Sequence, residues 1–277
     1  MQSFDLIEFI KIIILSIVQG ITEWLPISST GHMLLINDFM PLLLRKEFVE
    51  LFIVIVQLGS IMAVMVLYFN KLNPFSHQKT AQENKDTWIL WSKVAIASIP
   101  AFIFGFILDD YMDTYFNKPL VIALALIVYG IGFIVIENNH NDKHSTHINH
   151  LDNISYLTAF KYGLFQALSI IPGTSRSGST IMGGLLLGSS RTVATEFSFF
   201  MSLPVMFGAS LLKLLKLGFG MTTIELIYML GGMTIAFIVS IIAIKFLLSY
   251  IKQNDFKAFG YYRIILGVIV IAYTLFK

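Results

Sequence analysis

Residues 49–69, 88–107, 119–136, 197–217, 224–248 and 261–276 are six apolar stretches of a length that crosses a bilayer. About 20 apolar residues in a helix cover the hydrocarbon core. There the backbone must satisfy its own hydrogen bonds, which leaves helices or a closed barrel. Windows this long and continuously apolar are helices. Composition agrees: 56% of the 277 residues are hydrophobic and 13% charged, against about 25% charged in a soluble domain. An ordinary soluble enzyme is excluded. So is a disordered chain, because Phe, Ile, Leu and Tyr are abundant. Cysteine is absent, which excludes disulfides, thiol catalysis and Cys-based metal sites. A net charge of +2 makes no case for nucleic acid. Asp5 and Glu8 stand where a secretory signal carries basic residues, so the first segment is expected to be part of the mature protein. The reading is an all-α polytopic membrane protein with one integral domain over residues 1–277.

Two further apolar segments are interrupted. Residues 6–36 are broken at PISSTG (26–31) and residues 154–187 at PGTSRSG (172–178). Broken backbone at membrane depth is tolerated inside protein or beside a watery cavity. The two breaks align without gaps, QGITEWLPISSTG (19–31) over QALSIIPGTSRSG (166–178), with Ser28 opposite Ser175 and Ser29 opposite Arg176. One copy in each half predicts an internal repeat: residues 1–137, a loop at 138–153, and residues 154–277. Paired interrupted segments point to a site near the midplane. The expected fold is an inverted-topology repeat with two re-entrant helical hairpins and about six full transmembrane helices.

Charge suggests the orientation. Lys71, Lys79 and Lys85 mark residues 70–86 as cytoplasmic, which puts 109–117 outside and 138–153 inside. The first break then enters from outside and the second from inside, with tips meeting at mid-membrane. Arg45, Lys46, Lys213 and Lys216 fall at outer ends and oppose this assignment. Gly183-Gly184 and Gly231-Gly232 are candidates for close helix packing, including packing in a homodimer.

The polar residues of the breaks suggest phosphate chemistry. Gln19 and Glu23 are one helical turn apart and offer oxygens suited to Mg²⁺ or Ca²⁺. An ionisable residue inside a membrane segment is functional by default. Ser28, Ser29, Thr30 and His32 follow. If Gly31 lies within a new helix, Ser29 and His32 can face each other as nucleophile and base; His32 is alternatively the nucleophile or a general acid. Arg176 carries a planar fork that matches phosphate oxygens. Thr174, Ser175 and Ser177 surround it with donors, and Gly173 and Gly178 let backbone N–H groups approach an anion. Such a set suits the phosphate or diphosphate headgroup of a lipid.

Residues 19–32 and 172–178 closely resemble the two motifs of the bacterial undecaprenyl-diphosphate phosphatases, the bacitracin-resistance family, and the resemblance runs end to end. It implies hydrolysis of undecaprenyl diphosphate to the monophosphate and phosphate. It also implies a plasma-membrane enzyme that recycles the lipid carrier of cell-wall synthesis, with a site opening to the outside. Glu23, Ser29, His32 and Arg176 match the family's catalytic positions; Ser28, Thr30, Thr174 and Ser175 match supporting ones. The family has Glu or Gln at the start of its first motif; with Gln19, Glu23 is the anionic metal ligand here. The preferred assignment has Ser29 attacking, His32 carrying protons, Glu23 on the metal and Arg176 on the phosphates.

Other signals weigh less. Asp109-Asp110-Tyr-Met-Asp113 has the D-D-x-x-D spacing of prenyltransferases, but a solvated acidic turn explains one copy at a span end. His140, His144, His147 and His150 lie in a polar loop and read as solvated. An acid-phosphatase fold needs a His six residues after the Arg of Ser175-Arg176, and Met182 stands there. Glu47, Glu50 and Glu196 border the spans. The competing class is a transporter or lipid flippase, because inverted repeats with broken helices are common in transporters.

Overall fold

A computed structural model describes residues 4–116, 118–139, 146–218 and 220–276. Among them the chain is all-α: α1 (Leu6–Thr22), α2 (Ser29–Phe39), α3 (Lys46–Leu67), α4 (Phe69–Leu72), α5 (Ala81–Tyr115), α6 (Pro119–Asn139), α7 (Tyr156–Ala167), α8 (Arg176–Leu186), α9 (Arg191–Leu217), α10 (Thr223–Tyr250) and α11 (Lys257–Phe276). No strand forms among the described residues; a lone bridge joins Ile148 to Ser189. Six helices (α3, α5, α6, α9, α10 and α11) are long and apolar enough to cross a membrane. The protein is a multi-pass membrane protein.

The helices start where side chains can cap them. Thr80 and Glu83 form a capping box that starts α5 seven residues before the apolar stretch at 88. Thr222 and Glu225 do the same for α10. Ser28 and Ser175 cap α2 and α8, accepting from the N–H of Gly31 and Gly178. Both do so from the left-handed region, at φ 75° and 72°. These are the positive-φ non-glycine residues of the described chain, and they are the residues the two breaks align.

Helix α6 packs on α11, α3 on α10 and α9, α1 on α10, and α7 on α5. Glycines let the backbones touch. A Cβ on Gly59 would lie 2.1 Å from the Met233 carbonyl, and one on Gly163 would lie 2.3 Å from that of Ala97. Lipid supplies no hydrophobic drive between helices, so such close packing holds them. The glycine pairs considered for a homodimer face their own chain instead. Phe165 and Tyr162 fill the space beside Gly183 and Gly184, and Phe9 and Phe52 that beside Gly231 and Gly232.

Candidate active site

Helix α1 ends at Thr22 with Glu23 as its C-cap, and five residues after Glu23, Ser28 turns the chain into α2. Helix α7 runs through a 3₁₀ turn at Leu168–Ile170, and Ser175 turns the chain into α8. The two breaks meet. Arg176 Nη2 donates to Glu23 Oε1 at 3.1 Å, and Ser177 Oγ donates to the Glu23 and Leu25 carbonyls. Beside them lies a cavity of about 230 Å³ lined by Glu23, Ser28, Ser29, Thr30, Gly173, Ser175 and Arg176, with Gln57, Ser169 and Met206 among the other walls. The first N–H groups of a helix have no acceptor within it. Two helix starts at one cavity therefore favour an anion there.

Glu23 is 6% exposed and is the hub. Its Oε2 accepts from Ser29 Oγ at 2.7 Å and from Gln19 Nε2 at 3.0 Å, while Oε1 accepts from Arg176. A hydroxyl held by a carboxylate is a nucleophile beside a base. Arg176 lies over the Trp24 ring, 5.7 Å from its centroid, and donates Nη1 to the Ser198 carbonyl. Its Nε is buried without a hydrogen-bond partner.

Several expected placements are corrected. Ser29 and His32 do not pair: Ser29 turns to Glu23, while His32 Nδ1 meets the Ser28 carbonyl at 2.8 Å and Nε2 meets Tyr262 OH at 2.7 Å. One helical turn permits their contact, but a nearer carboxylate takes the hydroxyl. Gln19 donates its amide N–H to Glu23 Oε2. Thr174 and Ser177 do not line the cavity. Thr174 Oγ1 closes its own loop onto the Leu168 and Ile171 carbonyls, and Ser177 ties the second break to the first. The side chains of Asp109, Asp110 and Asp113, and all of His140 and His144, lie outside the described residues. His147 and His150 do not line this cavity: the His147 N–H bonds the Gly188 carbonyl, and His150 lines a separate cavity with Lys71 and Glu196.

The sequence reading passed over Arg263, Tyr262, Gln57 and Ser198. Arg263 had a usable signal, a charge inside the apolar stretch 261–276. Ser198 contributes a main-chain carbonyl, which leaves no trace in residue type.

The bacitracin resistance protein BacA family model matches residues 12–269. Among curated relatives, the "Undecaprenyl-diphosphatase" of Enterococcus faecalis is 56% identical, covering 96% of this chain and 98% of the relative. That of Acetivibrio thermocellus is 55% identical over 98% and 99%. The "Undecaprenyl-diphosphatase 1" of Clostridioides difficile is 52% identical over 99% and 98%. With a family match spanning nearly the whole chain, and with both breaks inside it, this protein belongs to the bacitracin resistance protein BacA family.

Proposed function

We propose that this protein hydrolyses undecaprenyl diphosphate to undecaprenyl phosphate and phosphate, and so returns the lipid carrier to cell-wall synthesis and supports bacitracin resistance. The observation that carries the reading is the Ser29–Glu23–Arg176 cluster at one cavity, where two helix starts converge. The activity for which the relatives are named agrees with it.

In this reading Ser29 Oγ attacks the terminal phosphorus and its proton passes to Glu23 Oε2. The bond from that phosphorus to the bridging oxygen breaks, and undecaprenyl phosphate leaves with the bridging oxygen and the electron pair. Glu23 yields its proton to solvent and then takes one from a water that attacks the phosphoserine, releasing phosphate and restoring Ser29. Arg176 moves its donors from Glu23 to the phosphate oxygens, where positioning and charge neutralisation supply most of the catalysis. His32 acts on Ser28 rather than as the proton carrier.

A divalent cation, Mg²⁺ or Ca²⁺, fits this site as a companion of the substrate. No group of three His, Asp or Glu side chains among the described residues could cage it. Glu23 alone provides a carboxylate oxygen, with the hydroxyls of Ser29 and Thr30 nearby, and Mg²⁺ characteristically takes one or two carboxylates plus substrate phosphates. When bound, it would offset diphosphate charge.

The protein is read as lying in the bacterial plasma membrane with the cavity open to the outside. Residues 1–137 and 154–277 are read as inverted repeats. Two features support that: the left-handed Ser28 and Ser175 at aligned positions, and the crossed pairing of α1 on α10 with α7 on α5.

The test is phosphate release from undecaprenyl diphosphate by purified protein, with and without Mg²⁺ or Ca²⁺, beside Arg176→Ala. Cation-dependent release that the variant loses is the expected result. A well-folded protein that moves the lipid across vesicles but releases no phosphate would instead be a flippase.

A further inference from the structure

Two adjacent residues of α11 contact the motifs, Arg263 both breaks and Tyr262 the first motif alone, and neither belongs to either motif. Arg263 is fully buried, and among the described residues no carboxylate pairs with it. All its hydrogen bonds go to backbone carbonyls: Nη1 to Pro26 at 3.0 Å, Nη2 to Gly173 and Thr174 at 2.9 Å each, and Nε to Leu126 at 3.5 Å. Pro26 and Gly173 are the same position of the two aligned breaks, 147 residues apart as Ser28 is from Ser175. One guanidinium therefore spans equivalent carbonyls of both tips. Those carbonyls lie outside helices and need donors at membrane depth. A planar group with five N–H donors can serve several at once.

Tyr262 holds the first break from the other side. Its ring stacks on His32, with centroids 5.7 Å apart and planes 7° from parallel. Its OH lies 2.7 Å from His32 Nε2. His32 Nδ1 faces the Ser28 carbonyl, which only accepts, so Nδ1 carries the proton, and Nε2 shares a hydrogen bond with the Tyr262 hydroxyl. Ser28 is the left-handed residue whose carbonyl leads into Ser29. A chain of contacts thus runs from Tyr262 through His32 and Ser28 to the hydroxyl that Glu23 holds.

We propose that Tyr262 and Arg263 are positioning residues for the hydrolysis, α11 acting as a clamp that sets Ser29 and Glu23 of one break against Arg176 of the other. The inference rests on the hydrolase reading above.

The test measures kcat and KM for phosphate release from undecaprenyl diphosphate in detergent. Tyr262→Phe keeps the ring stack and removes one hydrogen bond. It is expected to lower kcat about tenfold, with KM within about twofold. In a His32→Ala background the same change is expected to cost nothing further, because the tyrosine acts through the imidazole. Tyr261→Phe, on the exposed neighbour, is expected to match wild type. Arg263→Lys replaces the fork with a single ammonium and is expected to lower kcat about a hundredfold with little change in KM. If Arg263→Lys does not fold, the Tyr262 series decides alone. Wild-type kcat in Tyr262→Phe, or its full effect on top of His32→Ala, overturns the inference while wild-type release leaves the hydrolase reading standing. No release by folded wild type overturns both.

Discussion

Glu23 is the residue on which the site turns, and its surroundings make it testable. Its ion pair with Arg176 is nearly sealed from solvent, the two side chains being 7% and 10% exposed. Removing one member of a buried pair strands the other at a cost of about 3–5 kcal/mol, whereas removing both costs far less. Glu23→Gln is therefore expected to lower the melting temperature in detergent clearly, and Glu23→Gln with Arg176→Gln to recover part of it. Equal melting temperatures for Glu23→Gln and wild type would mean that the pair is solvated. Ser29 is the opposite case. It is a cavity wall rather than a support, so Ser29→Ala should melt with wild type yet lose about 10³-fold or more in kcat. Near-normal turnover by Ser29→Ala would remove the serine from the chemistry.

Elements follow from short-range rules that side-chain identity reveals, with two departures. A serine at positive φ is uncommon, and a β-branched residue there is an outlier. Ser28 is tolerated because its hydroxyl caps α2. Ser28→Gly relieves the backbone and loses the cap, so it is expected to stay within about 1 kcal/mol of wild type. Ser28→Val has neither compensation and is expected to destabilise by more than that, read from thermal melts; equal melts would mean the turn relaxes freely. The glycines divide in the same way. Gly59→Ala would push a methyl into the α10 backbone and is expected to cost about 1–3 kcal/mol. Gly105 in α5 has nothing within 4 Å of an added Cβ, so Gly105→Ala is expected to raise stability slightly.

For the whole molecule, orientation is the open quantity that experiment reaches directly. The chain has no cysteine, so single introduced cysteines report without background. His77→Cys, between α4 and α5, is expected to react with a membrane-impermeant maleimide only from the cytoplasmic side. Leu43→Cys, in an exposed stretch between α2 and α3, is expected to react only from outside. Labelling of both from one side would break the inverted arrangement and the outward-opening site with it.

Long apolar runs were enough to place the six spanning helices, because a segment surrounded by lipid has no alternative to internal hydrogen bonding. The paired breaks and their polar residues were equally legible, since Pro, Gly and hydroxyl clusters interrupt a helix by local chemistry. The alignment that set Ser28 against Ser175 corresponds to a shared positive φ. The partners were not legible. Helical spacing offered His32 to Ser29, but Glu23, six residues earlier, reaches the hydroxyl because the chain doubles back between them. Arg263 lies 90 residues after Gly173 and 237 after Pro26, yet it bonds the carbonyls of both. Main-chain acceptors carry no residue signature, and which of them a buried guanidinium meets depends on how α11 is seated against the two breaks. That seating is a property of the packed molecule, where burial makes unsatisfied groups costly and so selects the pairs that form.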